Sequence, residues 1–194
     1  MKDLDFGIVE RDRLGLKGPG AADWLAAHGI AAPKSANSWA GAVAAGDAAI
    51  LVARLGTLEF FLEDCAGGAT LREIEPAAQA HPPGVYPVLR HDVGFLLSGT
   101  RSLEVLAQVC NMNFADLALE SRPVIMTSMI GVSVLVVPQI AGAAGSTGSA
   151  GTSGGEPEYR IWCDPTFGHY MEQSLGTVVN DCGGNYRRKQ GVSA

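Results

Sequence analysis

A strand–glycine–helix pattern occurs twice in this chain at a constant offset of 81 residues. That repeat limits the possible fold more than any other feature. In residues 90–114, RHDVGFLLSGTRSLEVLAQVCNMNF, the apolar run Val93-Gly94-Phe95-Leu96-Leu97 ends at Ser98-Gly99. Leu103, Leu106 and Val109 follow at three-residue steps, with Val105 beside them. This predicts strand, glycine turn and amphipathic helix. Near the N-terminus, Leu14-Gly15-Leu16-Lys17-Gly18-Pro19-Gly20 leads into Ala21-Ala22-Asp23-Trp24-Leu25. Leu16-x-Gly18 aligns with Leu97-x-Gly99, and Trp24-Leu25 with Val105-Leu106. Two related halves are expected, about 1–84 and 85–194, within one domain spanning 1–194.

The remaining segments fit the same division. Residues 1–13 are rich in charge and are expected at the surface or docked on another body. Residues 48–55 and 58–63 read as a hairpin turning at Gly56-Thr57, and a helix is expected to begin near Cys65, with Pro76 disfavouring its continuation. His81-Pro82-Pro83-Gly84 reads as a stiff linker. In the second half, residues 124–137 form a hairpin at Gly131, residues 159–163 a strand and residues 165–175 a helix. Residues 178–186 are a terminal element broken at Gly183-Gly184. Each half thus reads strand, glycine turn, helix, hairpin, helix, an α+β fold with internal pseudo-symmetry. Residues 141–155 are all Ala, Gly, Ser or Thr, the composition of a flexible loop. They contain no Lys and lack the spacing of a phosphate-binding loop.

Composition narrows the function. The apolar fraction of 47% is enough for a packed core, and the formal net charge of −6 argues against a phosphate-backbone binder. Arg187-Arg188-Lys189 is the single basic cluster and reads as a solvated end. The longest apolar run, 124–140, holds Thr127, Ser128, Gly131, Ser133, Pro138 and Gln139 and is too polar for a spanning helix. Residues 1–10 lack the apolar core of a signal peptide. A cytoplasmic protein is expected.

No self-sufficient catalytic set is visible. Cys65, Cys110, Cys163 and Cys182 form no close pair, and His28, His81, His91 and His169 are scattered. His91-Asp92 is a sequence pair whose side chains would point to opposite faces of a strand. Ser98-Gly99 lacks the glycine before serine that a nucleophile elbow requires. Arg90 and Arg101 flank the second turn, where they could bind an anion at the helix N-terminus or form surface ion pairs. No catalytic, cofactor-binding or metal-ligating residue is assigned.

The segments LGLKGPGAADWL, DVGFLLSGTRSLEVLAQVC and YRIWCDPTFGHYMEQSL together resemble the γ subunit of heterotetrameric sarcosine oxidase. Cys110-Asn111-Met112-Asn113 resembles that family's segment after the second helix, while the Ala/Gly/Ser/Thr insertion departs from it. The γ subunit is similar in fold to the folate-binding domain of the aminomethyltransferase T-protein. The resemblance spans about residues 14–175. It implies a non-catalytic subunit with α, β and δ partners in a complex that oxidatively demethylates sarcosine or a similar N-methyl amino acid. FAD, FMN, NAD, tetrahydrofolate and zinc would be held by those other subunits. N-methylglutamate dehydrogenase has a similar plan, and a stand-alone folate-binding or aminomethyltransferase-like protein is the alternative.

Overall fold

A computed structural model describes residues 3–43, 49–65, 69–140 and 155–187. The first half contains β1 (Asp5–Val9), β2 (Arg13–Lys17), α1 (Ala21–Ala27), β3 (Ser38–Val43), β4 (Ala49–Arg54), β5 (Glu59–Asp64) and α2 (Ala69–Gln79). The second half repeats that order with β6 (Tyr86–Val88), β7 (Val93–Ser98), α3 (Ser102–Val109), β8 (Ile125–Met129), β9 (Val132–Ile140), β10 (Pro157–Cys163) and α4 (Gly168–Asp181). It then adds β11 (Asn185–Arg187).

The strands form two sheets, β3-β4-β5-β2-β6 and β8-β9-β10-β7-β1-β11. The halves exchange their leading strands. β1 leaves the first half to pair with β7, Asp5 opposite Ser98, and β6 leaves the second to pair with β2, Lys17 opposite Tyr86. Apart from β11 the two sheets then have the same order.

The repeat extends to single hydrogen bonds. Gly18 and Gly99 hold φ of 118° and 112°, a region that strains other residues. Ala21 N–H donates to the Gly18 carbonyl at 3.1 Å, and Ser102 N–H to the Gly99 carbonyl at 3.1 Å. Gly20 N–H donates to Gly84 at 2.9 Å, and Arg101 N–H to Asp3 at 3.1 Å. Every one of these positions shifts by the same 81 residues that relate the two sequence signatures.

At Gly18 a side chain has no room, because a Cβ would stand 2.2 Å from the Gly84 carbonyl oxygen. Gly18→Ala is expected to cost about 3 kcal/mol of stability in urea unfolding. Gly29→Ala serves as a control for backbone strain alone. Its φ is also positive, at 75°, but a Cβ there meets nothing within 4 Å, so a cost of about 1 kcal/mol is expected.

Helices cover the outer faces of both sheets, and the inner faces meet. Leu25 of α1 and Leu71, Ile74 and Ala78 of α2 pack with Leu14, Leu16, Ile50, Val52, Phe60 and Leu62. Val105, Leu106 and Val109 of α3 and Met171, Leu175 and Val179 of α4 pack with Phe95, Leu97, Val134, Val136, Tyr159 and Ile161. Between the sheets lie Trp39, Leu51, Ala53, Phe61, Val124, Val137 and Trp162. The central strands are therefore buried on both faces, which stacks four layers as helix, sheet, sheet and helix.

Several expectations from sequence are corrected. Residues 1–13 are not merely a charged surface, since Leu4 and Phe6 are core residues and β1 is an interior strand. A strand not expected from sequence, β3, precedes the first hairpin, and β10 follows the second, so each hairpin is part of a three-strand meander. Pro76 lies inside α2 rather than near its end, and Ala80 N–H still reaches the Pro76 carbonyl at 3.1 Å. The apolar face at Leu71, Ile74 and Ala78 offsets the missing backbone donor. In α3 the buried set is Val105, Leu106 and Val109, while Leu103 is exposed. The last helix runs on to Asp181, and the chain beyond Gly183-Gly184 becomes β11.

Candidate functional site

The inner faces of β5 and β10 set the chemistry at the centre of the molecule. Along β5, Phe60 and Leu62 face α1 and α2, so Glu59, Phe61 and Glu63 face the other sheet. Along β10, Tyr159, Ile161 and Cys163 face α3 and α4, leaving Glu158, Arg160 and Trp162 turned inward. The inward side chains of the two strands meet between the sheets. Phe61 meets Trp162 edge-on at 5.0 Å between ring centroids, and Glu63 meets both Arg160 and Trp162.

Glu63 is 2% exposed and is the hub of this layer. Its Oε2 accepts from Arg13 Nε at 2.8 Å and from Trp162 Nε1 at 2.6 Å. Its Oε1 accepts from Arg160 Nη1 at 3.0 Å, and Arg11 Nη1 stands 3.6 Å away. Three guanidinium groups thus converge on one carboxylate. Glu158 approaches Arg160 Nε at 3.5 Å and supplies a second negative charge. Burial by itself would lower the Arg160 pKa, but Cys65, Glu63 and Glu158 together raise it. Arg160 stays charged, and burial of this group is tolerated because it is paired.

Arg13 also ties together the two crossing connections. Its Nη1 donates to the Asp92 carbonyl at 2.8 Å and its Nη2 to the Val9 carbonyl at 3.1 Å. Gly94 makes room for it, since a Cβ there would lie 2.3 Å from Nη2. Beside this cluster an open cleft of about 1280 Å³ lies along the strand exchange, bounded by residues 8–14, one face of α2 and residues 87–94. The void within the ionic layer itself, beside Arg11, Glu63, Arg160 and Trp162, is only about 10 Å³, at the lower limit for one water molecule.

The residues singled out from sequence do not assemble into a site. Arg101 forks onto Glu104 at 2.9 and 2.7 Å and donates to the Cys182 carbonyl at 2.6 Å, so it is a local tie and no anion receptor. The pairing with Glu104 raises the Arg101 pKa and lowers that of Glu104. Arg90 lies away from the α3 N-terminus, donating to Glu59 at 3.0 Å and stacking over Phe61. His91 is exposed, and Asp92 uses its backbone carbonyl toward Arg13. His28, His81 and His169 lie on the surface. Ser98 and Gly99 join a core strand to a packed helix. Among the described residues no group of three or more His, Cys, Asp and Glu side chains could hold a metal ion, and no helix is long and apolar enough to cross a membrane. Of residues 141–155 all but Gly155 lie outside the described residues, as do Arg188 and Lys189.

Cys65 is the cysteine that sequence did not set apart. It is half-buried at the rim of the cleft, and Arg160 Nη1 donates to its Sγ at 3.1 Å. Cys110, Cys163 and Cys182 are buried. Burial, with Asp164 and Asp92 nearby, pushes the Cys163 thiol up to about 11. Iodoacetamide at mildly alkaline pH is expected to modify Cys65 alone in the native protein and all four cysteines after unfolding. Peptide mass mapping reads the difference.

Two helix-covered sheets stacked face to face, each completed by a strand from the other half, define an aminomethyltransferase-like folate-binding-domain fold. Solved structures share it. The glycine cleavage system aminomethyltransferase T from Bartonella henselae superposes with a TM-score of 0.68 at 15% identity, covering 95% of this chain and 48% of that one. A heterotetrameric sarcosine oxidase from Corynebacterium sp. U-96, in complex with pyrrole 2-carboxylate, superposes with a TM-score of 0.62 at 20% identity. That match covers 94% of this chain and 86% of its counterpart. The chain therefore spans about half the length of the aminomethyltransferase but nearly all of the oxidase chain. No protein-family model matches the sequence, and no curated protein matches it.

Proposed function

We propose that this chain is a non-catalytic subunit of a heterotetrameric flavoenzyme that oxidatively demethylates sarcosine or a similar N-methyl amino acid. The observation that carries this reading is the end-to-end match with one chain of the heterotetrameric oxidase, 94% of this chain against 86% of that one. The chemistry of the inner layer supports it. Arg13 from the same sheet and Arg160 and Trp162 from the facing sheet all donate to Glu63, with a void of about 10 Å³ left over. They are arranged to hold two sheets together rather than to receive a substrate. In the complex, the N-methyl amino acid would lose a hydride equivalent to flavin held by another subunit, with the one-carbon unit passed to tetrahydrofolate or hydrolysed to formaldehyde. This chain would contribute a rigid docking body.

A stand-alone folate-binding or aminomethyltransferase-like protein is the second reading, favoured by the TM-score of 0.68 with the aminomethyltransferase. Calorimetric titration of the isolated chain with tetrahydrofolate separates the two. No binding heat, no flavin absorbance and no oxygen uptake with sarcosine are expected. Micromolar tetrahydrofolate binding by the isolated chain would overturn the subunit reading in favour of the second.

A further inference from the structure

The halves differ at one edge. In the six-stranded sheet, β11 lies parallel to β1, with Asp5 opposite Asn185 and Gly7 opposite Arg187. It fills the angle between β1 and α4. The Tyr186 ring rests where a Cβ on Gly176 would come within 3.4 Å, its centroid is 5.7 Å from that of Phe6, and its hydroxyl donates to the buried Glu172. Gly184 N–H donates to Val179 at 2.8 Å and Asn185 N–H to Leu4 at 3.0 Å.

In the five-stranded sheet β6 is the counterpart of β1, and α2 of α4. Among the described residues β6 pairs with β2 alone and ends its sheet. The angle between β6 and α2 belongs to the open cleft, which is lined there by Leu71, Arg72, Glu75 and Gln79 of α2 and by Pro87 and Leu89. A cavity and an unpaired strand edge thus coincide at the place where the related half holds a strand.

We propose that this groove receives an extended segment of a partner subunit, added to β6 as a sixth strand parallel to it. An aromatic side chain of that segment would lie over α2 as Tyr186 lies over α4. The inference rests on the subunit reading above. A strand suits the groove better than a compact ligand. The site is open along its length, and the 11 residues of α2 span about 16 Å, the length of about five extended residues. Tyr86 and Leu89, at 59% and 75% exposure, give it apolar shoulders. Pro87 supplies no backbone donor, which keeps the pairing short and discourages indiscriminate association at the edge. Affinity would come from backbone pairing and selectivity from the α2 face.

The test is hydrogen exchange on the chain alone and on the chain co-expressed with its flavin-bearing partner subunits. Leu89, which alternates to the free edge with Pro87, and the groove face of α2 are expected to gain about tenfold or more protection in the complex. Gln79→Trp and Leu89→Asp, both at exposed positions, are expected to leave the melting temperature unchanged and to weaken assembly about tenfold or more. A complex in which Leu89 and α2 exchange as in the free chain, and which tolerates both variants, would overturn the groove proposal while leaving the subunit reading intact. Edge-to-edge dimers of the chain itself, abolished by the same variants, would overturn it in favour of a second copy as occupant. Failure to form any complex would overturn both readings together.

Discussion

Glu63→Ala is expected to lower the unfolding free energy by about 3–5 kcal/mol, the loss typical of removing one member of a buried ion pair. The change strips the acceptor from Arg13, Arg160 and Trp162 at once and leaves two guanidinium groups that are almost fully buried facing each other. Uncompensated buried charge, rather than lost packing, dominates the cost. The signature differs from that of a cavity. Glu63→Gln preserves volume and one oxygen acceptor, yet it is expected to remain destabilising because the charge is gone. Adding Arg160→Met to Glu63→Ala is expected to recover part of the loss, since it removes one of the stranded cations. Urea denaturation of the single and double variants checks this. Independent, additive losses from Glu63→Ala and Arg160→Met would contradict the coupled cluster.

Dividing the chain between Pro82 and Pro83 is expected to abolish folding of both fragments, and mixing them to restore it. The cut falls between the repeats, where two independently folding domains would tolerate it. Here the N-terminal fragment carries β1, whose neighbours β7 and β11 lie in the other piece. The C-terminal fragment carries β6, which among the described residues pairs only with β2. Each piece would also expose an inner face built around Phe61 and Glu63 or Arg160 and Trp162. Far-ultraviolet circular dichroism and size-exclusion chromatography of each fragment and of the equimolar mixture read the result. Cooperative unfolding of either fragment alone would contradict the strand exchange as the basis of stability.

Some of this architecture was legible in the sequence and some was not, for physical reasons. Leu16-x-Gly18 and Leu97-x-Gly99 announced the repeat because a positive φ after a strand restricts the residue locally. The hairpins at Gly56 and Gly131 and the strand at 159–163 were legible from short-range pattern. β1 was not. Its charged flanks masked Leu4 and Phe6, and its partners β7 and β11 lie about 90 and about 180 residues away. Glu63 escaped notice because its role depends on Arg160 and Trp162, 97 and 99 residues distant. A signal was nonetheless present. In Glu59-Phe60-Phe61-Leu62-Glu63 both strand faces carry aromatics, which implies a second layer on the face that also bears the carboxylates. Arg90 and Arg101 misled because proximity to a helix start in sequence does not fix where a long side chain ends. Glu104 captured one and Glu59 the other.

The measurement that tests the subunit reading most directly is size-exclusion chromatography, with absorbance recorded at a flavin wavelength, of this chain co-expressed with the large flavin-bearing subunits of its own source. A single flavin-absorbing peak containing this chain in fixed proportion to the larger subunits is the expected result. Elution of the chain by itself as a stable 20.2 kDa monomer, with the flavoprotein assembled without it, would contradict that reading.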